Sequence, residues 1–472
     1  MADASILPLS RPIAEAVISA TPDGVPEATW DYLKCCVADA VGVAFASRQF
    51  DYAARTSAAM VALSGGGPSR TIAGNERLSI RDAALLNGVL IHGLDYDDTH
   101  LESVIHCSAS ALPTALAIAS ERPVSGSALL MAVLLAIEVD ARVGSAAGGT
   151  FQQLGFHPTG VVGLFGAVLA AVRLRGGSVD DAVRAQGIAL STTSGSMAFL
   201  DDGSWTKRLH PGWAASSAIT AATLAMAGFE SPEEAYAGRF GLYSLFTRNA
   251  GNANNVAWDL VNNPWALSDV AIKPYPICHF NHAAIDSALA LREQYGLSVG
   301  AIKRGQILLH ERQFAVVVDP IERKRRPDSE YEAKFSAPYG VAAALVLGQF
   351  GLTELDESSR CDPDILALAE RLDCKHDDRS IYPNAFSGGL RLELTDGRII
   401  EHFDVVNRGA AGRLLTAEDV KKKFMRNCQL TTTEQRAEAI WQAIMHLDEQ
   451  VDCSGLLELL ALPAASESSL SA

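Results

Sequence analysis

The chain has 472 residues, of which 48% are hydrophobic and 20% charged, and its formal net charge is −16. This length exceeds what one compact core supports, so the composition predicts an ordinary folded protein of at least two domains. An acidic chain without a broad basic face is a poor ligand for nucleic acid or an anionic membrane, although a few converging cations can still bind a small anion.

Features that report on cellular location are few. The segment Met1–Ser10 carries Asp3 and no basic residue before its apolar patch, which is unlike a signal peptide. The uncharged stretch Val143–Val172 contains polar residues, a proline and several glycines, so it indicates buried protein rather than a membrane span. The eight cysteines form no CxxC pair, and the adjacent Cys35 and Cys36 suit neither a disulfide framework nor a zinc site. We therefore expect a reduced, cytoplasmic compartment.

The first half of the chain has a helical pattern that is rich in alanine and glycine. Apolar residues recur at helical spacing in Leu129–Ile137 and in Val161–Leu169. Because small residues let helix axes approach closely, the sequence predicts an all-helical domain over residues 1–270.

The pattern changes near Lys273. Turn signals at Thr395–Arg398 separate two apolar runs and predict a hairpin. The expected strands are Ile307–Leu309, Phe314–Val318, Leu390–Leu394 and Ile399–Phe403, and the expected helices are Tyr339–Gln349 and Asp364–Leu372. Residues 271–410 are therefore predicted to form an α+β domain.

After about Leu415 the helical pattern returns, through Glu434–His446 and Ser454–Leu460. The predicted fold class is mainly α: a discontinuous all-helical domain with a smaller inserted α+β domain. The helices of residues 411–460 are expected to pack back on the helical domain, and the Ser/Ala-rich residues 461–472 to form a disordered tail.

The most informative segment for chemistry is His92–Thr99, which reads His-Gly-Leu-Asp-Tyr-Asp-Asp-Thr and is followed by His106. Three carboxylates, a hydroxyl and an imidazole so close together would be costly to bury without partners. The alternative is a solvated loop or helix end with capping carboxylates. A calcium loop of the EF-hand type is disfavoured, because its glycine and terminal glutamate are missing.

Three further clusters contain candidate functional groups. His157 precedes Pro158 at the start of a glycine-rich helix, where the alternative role is a helix cap. Lys207 lies beside Arg208 and His210 in a mostly apolar region, although a lone lysine there would usually be a surface residue. A stiff Lys-Pro-Tyr-Pro segment lies at the predicted domain junction and contains Lys273, with His279 close behind. The sequence has no P-loop, GxSxG elbow or HExxH motif.

Taken together, these segments resemble the MmgE/PrpD family. The resemblance covers nearly the whole chain, in order, and its motifs are His92–Thr99, Gly155–Pro158, Lys207–Gly212, Lys273–Pro276 and Glu332–Ser336. It implies a helical domain with a smaller lid-like domain, a homodimer, no cofactor or metal, and an active site in the cleft between the domains. It also implies a functional set that falls on Asp95, Thr99, His106, His157, Lys207 and Lys273.

Two departures from the decarboxylase branch of the family affect this expectation. His106 lies one residue further from Thr99 than in that branch. The stretch Asp319–Lys324 also lacks the tyrosine that the branch has in its lid. The basic run Arg323–Arg326 is therefore either a source of substrate contacts or a solvated surface.

The family's reactions move a proton at carbon next to a carboxylate, so they need cations where charge develops and a base that titrates near neutrality. We expect Lys207 and Lys273 to supply the cations, and His106 or His157 the base. Asp95 is expected to orient a histidine, and Thr99 and His279 to bind substrate.

The leading expectation is a metal-independent carbon–oxygen lyase that dehydrates a 2-methylcitrate-like acid. The alternatives are an epimerase of an iminodisuccinate-like acid, a cis-aconitate-type decarboxylase, and a non-catalytic binding protein.

Overall fold

A computed structural model describes residues 8–258, 264–382, 385–410 and 412–462. The chain divides into two compact units. The first comprises the residues up to Val270 together with those from Thr416 onward, and the second is Ala271–Leu415. The sequence places these boundaries at residues 270 and 410.

The first unit is built of helices that follow one another through short connections. They are α1 (Ser10–Ser19), α2 (Glu27–Ser47), α3 (Asp51–Ser64), α4 (Ile80–His92), α5 (Ser108–Glu121), α6 (Gly126–Ser145), α7 (Thr150–Gln153), α8 (Pro158–Val161), α9 (Gly163–Leu174), α10 (Val179–Thr192), α11 (Phe199–Asp202), α12 (Thr206–Met226) and α13 (Leu242–Phe246). Among the described residues of this unit, three short strands accompany the helices: β1 (Ser69–Arg70), β2 (Arg77–Leu78) and β3 (Thr99–His100). Several helices begin at a capping side chain, such as Ser178 at α10, which exchanges hydrogen bonds with Asp181.

Helices α4 and α12 pack backbone against backbone. A Cβ atom on Gly88 would lie 2.5 Å from the Cα of Gly212, and one on Gly212 would lie 2.2 Å from the carbonyl oxygen of Leu85. Only glycine permits so close an approach. One helical turn from this contact, His92 ends α4 and Arg208 lies in the first turn of α12. The close packing therefore brings the two motifs of these helices together.

The second unit is an α+β structure around one mixed sheet. Its helices are α14 (His282–Tyr295), α15 (Phe314–Val317), α16 (Ile321–Arg325), α17 (Glu330–Lys334), α18 (Ala337–Leu347), α19 (Glu357–Arg360) and α20 (Pro363–Ala369). After β4 (Val270–Ala271) at the unit boundary, the strands are β5 (Ile302–Leu309), β6 (Leu372–His376), β7 (Gly388–Leu394) and β8 (Ile399–Asp404). The sheet order is β6-β5-β7-β8, with β6 parallel to β5 and the other pairs antiparallel.

The structure confirms the predicted hairpin and corrects one predicted strand. Strands β7 and β8 pair antiparallel, and the amide of Leu394 donates to the carbonyl of Arg398 at 2.8 Å. Phe314–Val318 was expected to be a strand, but Phe314–Val317 is helix α15. The side chains of His310 and Gln313 cap a helical turn immediately before it. A four-residue apolar run has no period that distinguishes a strand from a buried helix.

The two predicted helices of this unit are present with shifted ends. Helix α18 ends at Leu347, because Gly348 adopts a left-handed conformation with φ of 75°. Helix α20 ends at Ala369, and Leu372 already begins strand β6.

The chain returns to the first unit through α21 (Ala417–Gln429), α22 (Glu434–Met445) and α23 (Ser454–Leu460). A Cβ on Gly42 of α2 would lie 3.0 Å from the ring of Phe424, so α21 packs closely on α2. Ala461, where the predicted tail begins, is buried, and the amide of Leu462 donates to the carbonyl of Gly74 at 2.8 Å. Residues 463–472 of that tail lie outside the described residues. Within the described ranges, no helix is both long and apolar enough to cross a membrane.

Candidate active site

The acidic run that follows α4 is buried. Asp95 is 8% exposed and Asp97 is not exposed at all, so the solvated-loop alternative is wrong. Asp95 has φ of 52°, a left-handed conformation that is uncommon outside glycine. The guanidinium of Arg208 donates to the carbonyl of Gly93 at 2.7 Å, and the ammonium of Lys423 donates to the carbonyl of Tyr96, also at 2.7 Å. The run is therefore held in a strained shape by two cations from other helices.

Asp97 bridges two histidines. Its Oδ2 lies 2.9 Å from Nδ1 of His92, and its Oδ1 lies 3.3 Å from Nδ1 of His106. Burial by itself would raise the pKa of Asp97, but the imidazoles of His106 and His92 hold it well below its usual range. An ionised carboxylate can only accept hydrogen bonds, so Nδ1 of His92 carries the proton that it donates to Asp97. In the neutral form of His92, the lone pair is then on Nε2.

His106 also belongs to a second chain of contacts that ends at Lys207. Its Nε2 lies 3.7 Å from Oδ1 of Asp95, and the same oxygen accepts a hydrogen bond from Nζ of Lys207 at 2.8 Å. Asp95 therefore lies between Nε2 of His106 and the ammonium of Lys207. This arrangement can position both groups toward one anionic ligand.

Two threonines fix the position of His106. The hydroxyl of Thr99 lies 3.3 Å from its Nδ1, and its backbone amide donates to the hydroxyl of Thr159 at 3.1 Å. Thr99 is thus next to the predicted base, whereas Thr159 acts on the backbone. The sequence did not indicate that Thr159 contacts His106.

His157 lies at the start of α8, with its ring facing the same cluster. It occupies the N-cap position, as the helix-cap alternative expects, but its side chain makes no capping hydrogen bond. Its backbone amide donates to the carbonyl of Gly195 at 2.9 Å, and its Nδ1 lies 2.9 Å from Nδ1 of His210. The ring centroid of His157 is 5.6 Å from that of His92 and 6.4 Å from that of His106.

The environment keeps several of these imidazoles neutral. Burial lowers the pKa of His92 to about 4, against the opposing attraction of Asp97. Burial, and next the ammonium of Lys207, lower the pKa of His157 well below its usual range. Burial also lowers the pKa of His210 to about 4. Near neutral pH these rings are therefore uncharged, and each has a lone pair on one ring nitrogen that can bind a ligand.

Asp98 differs from its two acidic neighbours. Both its oxygens accept hydrogen bonds from Ser108, one from the backbone amide at 3.2 Å and one from the hydroxyl. Burial raises the pKa of Asp98 to about 7, even though these hydrogen bonds lower it. Asp98 therefore caps the start of α5, and its role is structural.

Lys273 and His279 lie in the second unit. Both are buried, and the ring of His279 lies 4.4 Å from that of His282 and 5.6 Å from that of Phe386. Their predicted parts in substrate binding stay predictions.

The basic run Arg323–Arg326 is engaged within the second unit. Arg325 pairs with Asp373 at 2.6 Å, Arg326 pairs with Glu370 at 2.7 Å, and Arg323 pairs with Glu332. The ammonium of Lys324 donates to two backbone carbonyls. These contacts indicate a structural role for the run.

Sequence reasoning did not assign roles to His92, Asp97, His210 or Thr159. His92 and Asp97 lie in the motif that drew attention, but nothing local distinguishes Asp97 from Asp95 or Asp98. His210 lies three residues after Lys207, at helical spacing, which is the one signal that could have linked them.

The fold and this cluster of histidines, carboxylates and a lysine agree with the family comparison. The MmgE/PrpD N-terminal domain matches residues 11–253, and the MmgE/PrpD C-terminal domain matches residues 275–449. The chain belongs to the MmgE/PrpD family.

Its curated relatives include decarboxylases. It is 29% identical to human cis-aconitate decarboxylase, and the matched region covers 83% of this chain and 81% of that protein. It is 27% identical to the mouse enzyme of the same name, over 83% of this chain and 80% of that protein. It is 26% identical to the cis-aconitate decarboxylase-like protein oryM of Aspergillus oryzae, over 82% and 83% of the two chains. Family and relatives together support a lyase-type reaction on a polycarboxylic acid.

Proposed function

We propose that this chain is a lyase that decarboxylates a small unsaturated tricarboxylate of the cis-aconitate type. The observation that carries the proposal is a cluster in which the partly buried Lys207 pairs with Asp95 at 2.8 Å, beside the buried His106 and His157. It combines a cation for a carboxylate with two candidate proton carriers. The relatives named above favour decarboxylation over the dehydration expected from the sequence.

The reaction requires one proton per turnover. The C–C bond to one carboxylate breaks, carbon dioxide leaves, and the electron pair remains on the carbon skeleton, spread onto the adjacent double bond and carboxylate. Lys207 stabilises the charge that develops there, since a cation placed at that position is worth most in a dry site. A protonated imidazole, with His106 as the first candidate, then delivers the proton that forms the new C–H bond.

Dehydration of a 2-methylcitrate-like hydroxy acid is the second candidate. The observation that favours it is the absence of a tyrosine from Asp319–Lys324, where the decarboxylase branch has one. In this reaction one imidazole removes a proton next to the carboxylate, and the hydroxyl leaves as water after receiving a proton. The two histidines can divide these tasks.

The test is separate incubation with cis-aconitate, 2-methylcitrate and iminodisuccinate in deuterated water, followed by NMR and measurement of released carbon dioxide. We expect carbon dioxide and a product with one deuterium at carbon. A new double bond without carbon dioxide would establish the dehydratase, and deuterium exchange in iminodisuccinate without loss of any group would establish the epimerase. No reaction with any di- or tricarboxylate would contradict the proposal.

Lys207→Ala provides the site-specific arm of this test. It should abolish the reaction, because the developing charge loses its cation. Arg81→Ala is the matched control, since Arg81 is an exposed cation on α4 outside the cluster, and it should leave the reaction unchanged. Equal activity in Lys207→Ala and Arg81→Ala would show that the active site lies elsewhere in the chain.

We also propose that the chain acts as a homodimer in a reduced, cytoplasmic compartment. The eight cysteines are all free. Helix α12 presents Leu209, Trp213 and Leu224 at 38–48% exposure, an apolar stripe at helical spacing. Analytical ultracentrifugation of the wild type and of Trp213→Glu tests the dimer, and a wild-type monomer would contradict it.

A further inference from the structure

Three imidazoles converge inside the candidate active site. One ring nitrogen from each of His92, His106 and His157 lies within 4.8 Å of the corresponding nitrogens of the other two. All three residues are at most 5% exposed. Imidazole is the ligand that zinc, cobalt and nickel ions share in proteins.

The Nδ1 atoms of these rings are already engaged. Those of His92 and His106 face the two oxygens of Asp97, and that of His157 faces Nδ1 of His210. A carboxylate or similar acceptor on the far nitrogen is the usual way in which proteins orient a metal-binding histidine. For His92, whose Nδ1 donates to Asp97, the available ligand is the lone pair on Nε2.

The second observation is an unsatisfied atom. Nε2 of His92 is buried and has no hydrogen-bond partner among the described residues. Leaving a buried polar atom unpaired costs free energy that a ligand would recover. The oxygens of the neighbouring carboxylates are used differently, because Asp95 pairs with Lys207 and Asp97 with the two imidazoles.

We propose that His92, His106 and His157 form a binding site for a divalent transition-metal ion, with zinc as the preferred occupant, and that the bound ion inhibits the enzyme. Zinc–nitrogen bonds of about 2.0–2.1 Å require the three nitrogens to lie about 3.4 Å apart. The three nitrogens, which lie within 4.8 Å of one another, must therefore approach by up to about 1.4 Å when the ion binds. Zinc in proteins usually has four ligands, so one further light atom would complete the set.

Inhibition follows from the identity of the ligands. The ion occupies the lone pairs of His106 and His157, the two candidate proton carriers, so turnover falls as the site fills. This part rests on the proposed function, whereas binding of the ion does not.

The experiment uses Co²⁺, whose visible absorption reports coordination, added to the full-length protein. The wild type should bind one ion with a tetrahedral spectrum and no near-ultraviolet band from thiolate. His92→Asn should weaken binding by more than about tenfold, since loss of even an outer partner of a ligand costs about 10–100-fold. His100→Asn is the matched control. His100 is a buried histidine of the same segment, bonded to Ser103 at 2.9 Å, and its loss should leave binding unchanged.

A measurement without variants guards against misfolding of His92→Asn. X-ray absorption of the zinc-loaded wild type should show three imidazoles and one further light atom. A sulfur shell, fewer than three imidazoles, or equal Co²⁺ affinity in His92→Asn and wild type would overturn the site. If the metal ion binds as expected but turnover does not fall, the proposed site stands and only its inhibitory effect is overturned.

Discussion

Nδ1 of His157 lies 2.9 Å from Nδ1 of His210. Two imidazole nitrogens approach so closely only when one carries a proton and the other accepts it. His157 is buried, whereas His210 is partly exposed. The pair therefore links the interior of the site to its surroundings by a hydrogen bond through which a proton can pass.

His210→Ala should lower kcat more than KM, because reprotonation of the site is slowed while the groups that bind substrate remain. Imidazole added to the buffer should restore part of the rate. Steady-state kinetics with and without imidazole measure both effects, and His446→Ala, a change at an exposed histidine, is the control. An unchanged kcat in His210→Ala would show that the proton takes another route.

The two candidate proton carriers give different outcomes when each is removed. His106→Ala should reduce turnover by about 10²–10⁴-fold and leave substrate binding largely intact, because general acid–base catalysis contributes about that factor. Asp95 and Asp97 both contact His106, which is why we rank it first. Turnover measured beside binding of a substrate analogue separates the two effects. Near-normal turnover in His106→Ala together with an inactive His157→Ala would show that His157 is the principal proton carrier. Full activity in both variants would show that neither histidine takes part in the reaction.

Activity should survive dialysis against EDTA, and elemental analysis should find no stoichiometric zinc or iron in the active protein. The physical reason is that Lys207 supplies the positive charge that the reaction needs. Chelation should in fact raise the activity of a preparation that contains zinc, if the three-histidine site is inhibitory. Activity that is lost on chelation and restored by one metal would refute this prediction.

Asp98 should make the stability of the fold depend on pH. Its pKa of about 7 in the folded protein exceeds its usual value of about 3.9. Between these two values the unfolded chain ionises while the folded protein keeps the proton, so the contribution of this group to stability falls as pH rises from about 4 to about 7. The unfolding temperature of Asp98→Asn minus that of wild type should therefore be higher at pH 8 than at pH 5.

The control for that measurement is Asp201→Asn, which changes an exposed carboxyl on α11. Its difference from wild type should be small at both pH values. If the difference in unfolding temperature between Asp98→Asn and wild type is the same at pH 5 and pH 8, Asp98 is ionised in the folded protein at both pH values.

Lys423 on helix α21 forms a buried ion pair with Asp39 on helix α2. Its ammonium lies 2.6 Å from the carboxylate of Asp39, and both side chains are at most 5% exposed. Lys423→Met should lower the free energy of unfolding by about 3–5 kcal/mol, because it leaves a buried charge without its partner. Urea denaturation measures this loss, and the double variant Lys423→Met/Asp39→Asn should recover much of it. A double variant that is no more stable than the single one would show that the charge of Asp39 is not the cause.

The sequence by itself determined the family, the helical character of the first unit and the hairpin of the second. These rest on local periodicity, turn chemistry and short motifs, which can be recognised without knowing which segments meet. It did not decide the conformation of Phe314–Val317, because a short apolar run suits a strand or a helix equally and the caps at His310 and Gln313 decided it.

Only the tertiary structure decided the division of labour among the polar groups. Asp95, Asp97 and Asp98 are identical in chemistry and nearly adjacent, yet they contact Lys207, two histidines and Ser108 respectively. Those partners come from segments that are up to about a hundred residues away in the chain, and the glycine contact between α4 and α12 brings the most distant of them into place. Contacts of this kind depend on packing between helices, which leaves no periodic signal in the sequence.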